Sequence, residues 1–171
     1  MIYQAEYISP FGNLLIGATE THLLYCDWST RKNSRQFISD IIRRTNMDIS
    51  TENSPIISYT GVQLDEYFEG GRRYFQLPML FYGSDFQADV WHTVSTIPYG
   101  QAQTYNDIAI KSRHASAVRA VANAIGANRF SIIIPCHRVI GKNSIGGYAG
   151  GTDIKILLLE HELKNTKHHK D

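Results

Sequence analysis

The sequence predicts an α+β protein. A small N-terminal antiparallel β-sheet domain, residues 1–83, is packed on a C-terminal, mostly helical domain, residues 84–171, which carries a helix-turn-helix and a reactive cysteine. Three observations support this division. The first third alternates apolar and polar residues between turn-forming clusters, the signature of a meander. From Ser84 onward the chain is punctuated by helix-capping signals. An ordinary globular composition, 43% hydrophobic and 19% charged over 171 residues, provides enough apolar surface for both parts.

In order, Tyr3, Ala5 and Tyr7 alternate with more polar neighbours, Ser9 to Asn13 makes a turn, and Leu14-Leu15-Ile16 resumes a strand. Thr19 to His22 turns again before Leu23 to Trp28, and a short helix is expected near Phe37 to Ile42. Ser54-Pro55 pairs a capping side chain with proline in the first helical turn. Ile57, Gly61, Leu64 and Phe68 then define one helical face, and Gly70-Gly71 stops it. The stretch from Phe75 to Tyr82 connects to the second part. There Ser84 with Gln87, and Thr104 with Asp107, are capping boxes for two helices. A third helix, expected from Ser116 to Ile125, follows a brief connection, so the last two form a candidate helix-turn-helix. A final helix holds Ile154, Leu157, Leu158, Leu159 and Leu163, read as largely buried. Lys164 to Asp171 reads as a frayed polar tail with a solvated His168-His169 pair.

Charge is distributed unevenly. Residues 1–85 carry seven Lys/Arg against ten Asp/Glu, whereas residues 86–151 carry six against two, a mild positive field that favours an anionic partner. On the third helix, Val118, Val121, Ala122 and Ile125 form the apolar stripe. The opposite face, Ser116, Arg119, Ala120, Asn123 and Ala127, is small and carries one charge. Such a face suits close approach either to a nucleic-acid backbone or to another protein segment. No apolar run approaches the roughly 20 residues needed to span a bilayer. Cys26 and Cys136, without a leader sequence, read as two free thiols in a reducing cytoplasm.

The stretch Ile132 to Ile140 is apolar at both ends and holds Pro135-Cys136-His137-Arg138 at its centre. Proline restricts Ile134 to extended geometry and ends strand pairing, which places the thiol at a sharp exit from the core. A thiolate needs a base, and His137 is the nearest, with Arg138 available to neutralise charge. Neighbours on an extended chain point to opposite faces, so direct contact requires a turn or a bridging water. Glu160 and Glu162 are the carboxylates expected nearby. The residues alone leave open a core cysteine beside a structural histidine.

The segment Pro135-Cys136-His137-Arg138-Val139 resembles the active-site signature of the O6-alkylguanine-DNA alkyltransferases. Phe86-Gln87 with Val90-Trp91, Ile97-Pro98-Tyr99-Gly100, Arg119-Ala120-Val121, Gly147-Tyr148-Ala149-Gly150-Gly151, and elements from Gln63 to His161-Glu162 fit the same pattern in order. The resemblance implies a ribonuclease H-like N-terminal domain and a partner that is double-stranded DNA carrying alkylated bases. It implies stoichiometric, irreversible transfer of the alkyl group to Cys136, after base flipping by a helix-turn-helix in the minor groove. His137 would act through water and Glu162 would orient it. Tyr105 would assist base rotation and donate a proton, and Asn128 would hold the active-site turn. Arg119 would fill the vacated stack, with Asn123, Ser116 and Lys142 as further DNA contacts. Pro135, Tyr148, Ala149 and Gly150 would form the base pocket.

Ala149 stands where some members of that family have a serine that hydrogen-bonds the lesion oxygen. The single N-terminal cysteine cannot build the zinc site of other members, so no metal and no cofactor are expected. A monomer is expected, with clustering on DNA and the choice between O6-alkylguanine and O4-alkylthymine left open. The alternatives are a lesion-binding protein without catalysis, against which Cys136 argues, and a cysteine hydrolase, which would turn over repeatedly.

Overall fold

The computed structural model describes residues 1–168, with side chains to residue 167. The chain divides into two compact units, Met1–Tyr82 and Gly83 onward.

In the first unit, β1 (Ile2–Ser9), β2 (Gly12–Ala18) and β3 (Leu23–Trp28) form the expected antiparallel meander. The β1–β2 turn is held by Ser9, whose Oγ accepts from the amides of Phe11 and Gly12 at 3.2 and 3.1 Å. A two-residue strand, β4 (Ile49–Ser50), adds in parallel to β1, giving the order β3-β2-β1-β4, so the sheet is antiparallel-dominated rather than purely antiparallel. Its polar sequence hid it; the pairing comes from β1. Gly17 lies under Tyr25, where any Cβ would meet the ring at 2.0 Å. The other edge, at Leu23, bonds to the Pro78 carbonyl and the Leu80 amide, which protects it from further pairing.

Helix α1 (Ser34–Thr45) is twice the length of the expected segment, because its first turn is polar and lacks a side-chain cap. Phe37, Ile38 and Ile42 pack on the Ile2, Leu24, Tyr25 and Ile41 cluster. Helix α2 (Pro55–Phe68) opens as read, with the Ser54 hydroxyl accepting from the Ile57 amide at 3.3 Å. Its buried face is Ile56, Ile57, Thr60, Gln63, Leu64 and Tyr67, whereas Gly61 and Phe68 are only half-buried.

In the second unit both capping boxes are present, at Ser84/Gln87 for α3 (Asp85–Ser95) and Thr104/Asp107 for α4 (Tyr105–Lys111). Helix α5 (Val118–Gly126) starts two residues later than expected, leaving Ser116 in the connection. Arg113 takes a left-handed φ of 66° within that turn. The buried residues of α5 are Val121, Ala124 and Ile125; Ala122 is half-buried. Trp91 Nε1 donates to the Ala124 carbonyl at 2.7 Å and so joins α3 to α5. A short parallel pair, β5 (Gln103–Thr104) and β6 (Val139–Ile140), ties the start of α4 to the chain after Cys136.

Helix α6 (Thr152–His168) corrects two expectations. Residues 164–168 are helical rather than frayed, and the His168-His169 pair lies outside the described side chains. Leu157 and Leu163 are 40% and 50% exposed, so the leucine run is not the buried face. Lys155, Leu158 and Glu162 are the fully buried residues, spaced three and four apart on one face.

Candidate active site

Cys136 is positioned by a tight knot of backbone. Residues 131–134 form a turn and bend rather than a strand that the proline ends. Ile132 has φ 71°, a costly geometry for a β-branched residue, and the Ile134 amide bonds to the Phe130 carbonyl at 2.8 Å. Pro135 (φ −79°, ψ 59°) makes an inverse γ-turn closed by the Cys136 amide to the Ile134 carbonyl at 2.7 Å. Cys136–Arg138 then forms one 3-10 turn. The expected exit from the core is therefore made of turns, not of a strand end.

Asn128, 2% exposed, holds this knot. Its Oδ1 accepts from the Phe130 amide at 2.9 Å. Nδ2 donates to the Ile134 carbonyl at 3.1 Å and to Cys136 Sγ at 3.2 Å. An amide N–H aimed at sulfur stabilises a thiolate more than a thiol.

Behind the cysteine lies a buried ionic cluster. His137 and Glu162 are fully buried, with Nε2 2.7 Å from Oε1. Arg138 grips the same carboxylate with both arms of its fork, Nε to Oε2 and Nη2 to Oε1, each at 2.9 Å. Its Nη1 donates to the Ile97 carbonyl at 2.7 Å, and the Gly100 amide donates to Glu162 Oε2 at 3.2 Å. Burial alone would raise the Glu162 pKa, but His137 and Arg138 outweigh it and hold the carboxyl far below its ordinary range. Burial lowers the His137 pKa, with Glu162 opposing. The imidazole is accordingly neutral. An ionised Glu162 accepts the Nε2 proton, which leaves Nδ1 as the basic nitrogen, and Nδ1 has no hydrogen-bond partner among the described residues. Arg138 is engaged with Glu162 rather than set to neutralise a product, and Glu160, the other candidate carboxylate, is exposed.

Cys136 opens into a cavity of about 350 Å³, within the range of small-ligand sites. Tyr105, Asn123, Asn128, Tyr148 and Ala149 line it, as do Ala122, Ile125, Gly126 and Gly147, which the sequence reading did not assign to a pocket. Pro135 and Gly150 are not among the lining residues; Pro135 instead builds the γ-turn. Tyr105 has its hydroxyl pKa raised by burial and then by Cys136, with the Gly147 amide opposing. Ser116, Arg119, Asn123 and Lys142 are exposed. Of these four only Asn123 reaches the cavity.

Lys155 escaped the sequence reading. It is fully buried on α6, and Nζ donates to the Val139 carbonyl at 2.6 Å and the Gly147 carbonyl at 3.0 Å. Nζ lies 5.9 Å from the centre of the Tyr105 ring. Within a leucine-rich helix it reads as a solvated lysine; only the carbonyls of β6 and the glycine loop make its burial tolerable. No group of three or more His, Cys, Asp or Glu that could hold a metal occurs among the described residues.

Residues 2–81 match the family model for the ribonuclease-like domain of 6-O-methylguanine DNA methyltransferase, and residues 85–164 match its DNA-binding domain. The chain belongs to the O6-alkylguanine-DNA alkyltransferase family. It is 38% identical to the methylated-DNA–protein-cysteine methyltransferase of Methanosarcina barkeri over 160 residues, covering 93% of this chain and 96% of that protein. A probable methyltransferase of the same name from Acanthamoeba polyphaga mimivirus is 50% identical over 105 residues, 61% of this chain and 70% of that one. The O6-methylguanine methyltransferase of Mycobacterium tuberculosis, 32% identical, superposes with a TM-score of 0.82 over 96% of this chain and 94% of that one. Its complex with DNA superposes at 0.79 over 96% and 93%. The alkyltransferase fold is thus matched over both units.

Proposed function

We propose that this alkyltransferase repairs DNA by moving the alkyl group of an O6-alkylguanine onto Cys136 Sγ, once per molecule. The observation that carries this reading is a single one. In a chain of this family, the buried Cys136–Asn128 contact faces a base-sized cavity, with the His137–Glu162 pair directly behind it.

The chemistry is a direct displacement. His137 Nδ1 takes the thiol proton through a bridging water. The thiolate attacks the alkyl carbon, the S–C bond forms, and the C–O6 bond breaks with its electron pair passing to the base. Tyr105, at the cavity wall, donates a proton to the leaving guanine, whose ring is thereby neutral. Asn128 supports the sulfur charge until it is consumed. The resulting thioether is not a leaving group at neutral pH, so the protein stops after one event.

The DNA would meet the exposed face of α5, where Arg119 and Asn123 stand among small residues, with Ser116 and Lys142 on flanking loops. Asn123 lines the cavity as well, and so joins the DNA face to the base pocket. A base must leave the stack to reach Cys136, which costs a few kcal/mol and is easiest for a poorly paired lesion. Ala149 offers no hydroxyl to the lesion oxygen, leaving backbone amides of the glycine loop to serve it.

Intact-protein and peptide mass analysis after incubation with duplex containing O6-methylguanine tests the reading. One added methyl, on the Cys136 peptide, with transfer stopping at one equivalent, is the expected result. Absence of modification under excess duplex, or continued turnover, would refute it.

A further inference from the structure

Helix α4 is stopped by an arginine. The Arg113 amide donates to the Ile110 carbonyl at 3.1 Å and the His114 amide to the Ala109 carbonyl at 2.8 Å, the paired bonds of a Schellman ending. The residue at its turning point takes a left-handed φ, here 66°, which glycine adopts freely and a residue with a Cβ only at a cost. Helix α2 ends with the same two bonds, Gly70 to Tyr67 and Gly71 to Glu66, and places a glycine, Gly70, at that point. Helix α1 stops at a left-handed Asn46, the other residue type that tolerates the geometry. The turn between α4 and α5 is also held without the arginine side chain. His114 packs on the Phe86 ring at 4.6 Å between centroids and lies 3.6 Å from Asp89, both on α3. Its carbonyl accepts from the Ala117 amide at 2.9 Å. The Arg113 guanidinium is exposed and makes no hydrogen bond or ion pair among the described residues. No Asp or Glu occurs between Asp107 and Asp153, so neither the turn nor α5 supplies an acid to pair with it. Of the other cations in that span, Arg138 is held by Glu162 and Lys111 stands one turn after Asp107 on α4.

We infer that Arg113 is a contact to a phosphate of duplex DNA, and that the α4–α5 turn extends the DNA interface beyond the face of α5. The inference rests on the repair reading, which makes DNA the partner. Arg113 is followed by exposed Ala115, Ser116, Arg119, Ala120 and Asn123, so the turn runs directly into the small-residue face. A guanidinium fork fits the two free oxygens of a phosphodiester, and a contact of that kind positions the duplex without reading its bases. The plain structural use of a cation just beyond a helix C-terminus is its attraction to the helix dipole. That use needs no left-handed arginine, because Lys111 already stands in the last turn of α4. A strained backbone retained for one exposed, unpaired charge is accounted for by a partner outside the chain.

Binding of the full chain to an undamaged duplex, followed by fluorescence anisotropy across a salt series, tests this. Arg113→Gly suits the left-handed position and removes the charge. It should bind about tenfold more weakly near 0.1 M salt and lower the slope of log K against log salt by about one, with the deficit closing as salt rises. Arg113→Lys should keep the native slope. Both variants should react with free O6-benzylguanine at the native rate, since that substrate carries no phosphate. Native affinity and slope in Arg113→Gly overturn the inference, whatever its melting temperature. An affinity loss that persists at high salt, or an equal loss toward O6-benzylguanine, assigns Arg113 to the fold and overturns it as well. If Arg113→Gly does not fold, Arg113→Gln, which removes the charge and keeps a side chain, is read in the same way. A protein that shows the expected salt pattern yet takes no methyl from DNA retires the repair reading and keeps the phosphate contact. Methyl transfer to Cys136 with a native slope in Arg113→Gly retires the contact alone.

Discussion

At the scale of single residues, the site depends on groups that satisfy several partners at once. Asn128 bonds to the Phe130 amide, the Ile134 carbonyl and the Cys136 sulfur. Asn128→Ala should strand buried backbone groups at a cost of about 1–3 kcal/mol. Urea unfolding and the rate of methyl transfer should both register it, and a variant of native stability and rate would show that the latch is dispensable. Arg138 is a second such group. Arg138 lowers the His137 pKa and Glu162 raises it, so Arg138→Met should raise the imidazole midpoint and leave more of it protonated at neutral pH. Histidine NMR titration reads this directly, and the pH profile of transfer should move to higher pH with it. The histidine and the carboxylate were visible from the sequence motif. The arginine's real partner was not, because the motifs assign Glu162 to the imidazole and only the fold brings the Arg138 fork onto the same carboxylate.

At the scale of elements, two helices divide the work. Helix α5 presents Arg119 outward from a face of small residues, while Ala124 and Ile125 turn inward. Arg119→Ala should reduce repair of duplex far more than reaction with free O6-benzylguanine, since only the duplex needs its stack filled. Equal losses would assign the arginine to the fold. The attachment of α5 is itself testable: Trp91→Phe removes the Nε1 bond to Ala124 and leaves a buried carbonyl unsatisfied, worth about 1–3 kcal/mol in thermal or urea unfolding. Helix α6 buries a lysine and a glutamate where its leucines were expected to go. Periodicity counted the apolar residues correctly, but the surrounding elements expose carbonyls and a guanidinium, and these select the charged face.

At the scale of the molecule, charge governs both stability and partner. The folded Glu162 pKa is depressed below its ordinary value of 4.5. Its contribution to stability is therefore fully present above that ordinary value and is lost as pH falls from it toward the depressed folded value. Melting temperature followed from pH 7 downward should drop through this acid window, and Glu162→Gln should flatten that part of the curve while lowering stability at pH 7. The basic balance of residues 86–151, six Lys/Arg against two Asp/Glu, predicts DNA affinity that weakens steeply with salt. A salt-independent affinity would argue against phosphate contacts.

The sequence by itself determined the meander and the capped helices, and its ordered motifs singled out Cys136, His137 and Glu162, the residues on which the proposed transfer rests. Alternation and capping are local patterns and Cys136 and His137 are neighbours along the chain, whereas Glu162, 25 residues beyond His137, was legible only through the order of the motifs. Only the tertiary structure decided that the approach to Cys136 is a knot of turns with Ile132 left-handed, because Asn128 and Phe130 close it. It likewise decided that Arg138 serves Glu162 and that Lys155 is buried against the Val139 and Gly147 carbonyls. A charge is buried or solvated according to partners contributed by distant segments, and that information has no period along the chain.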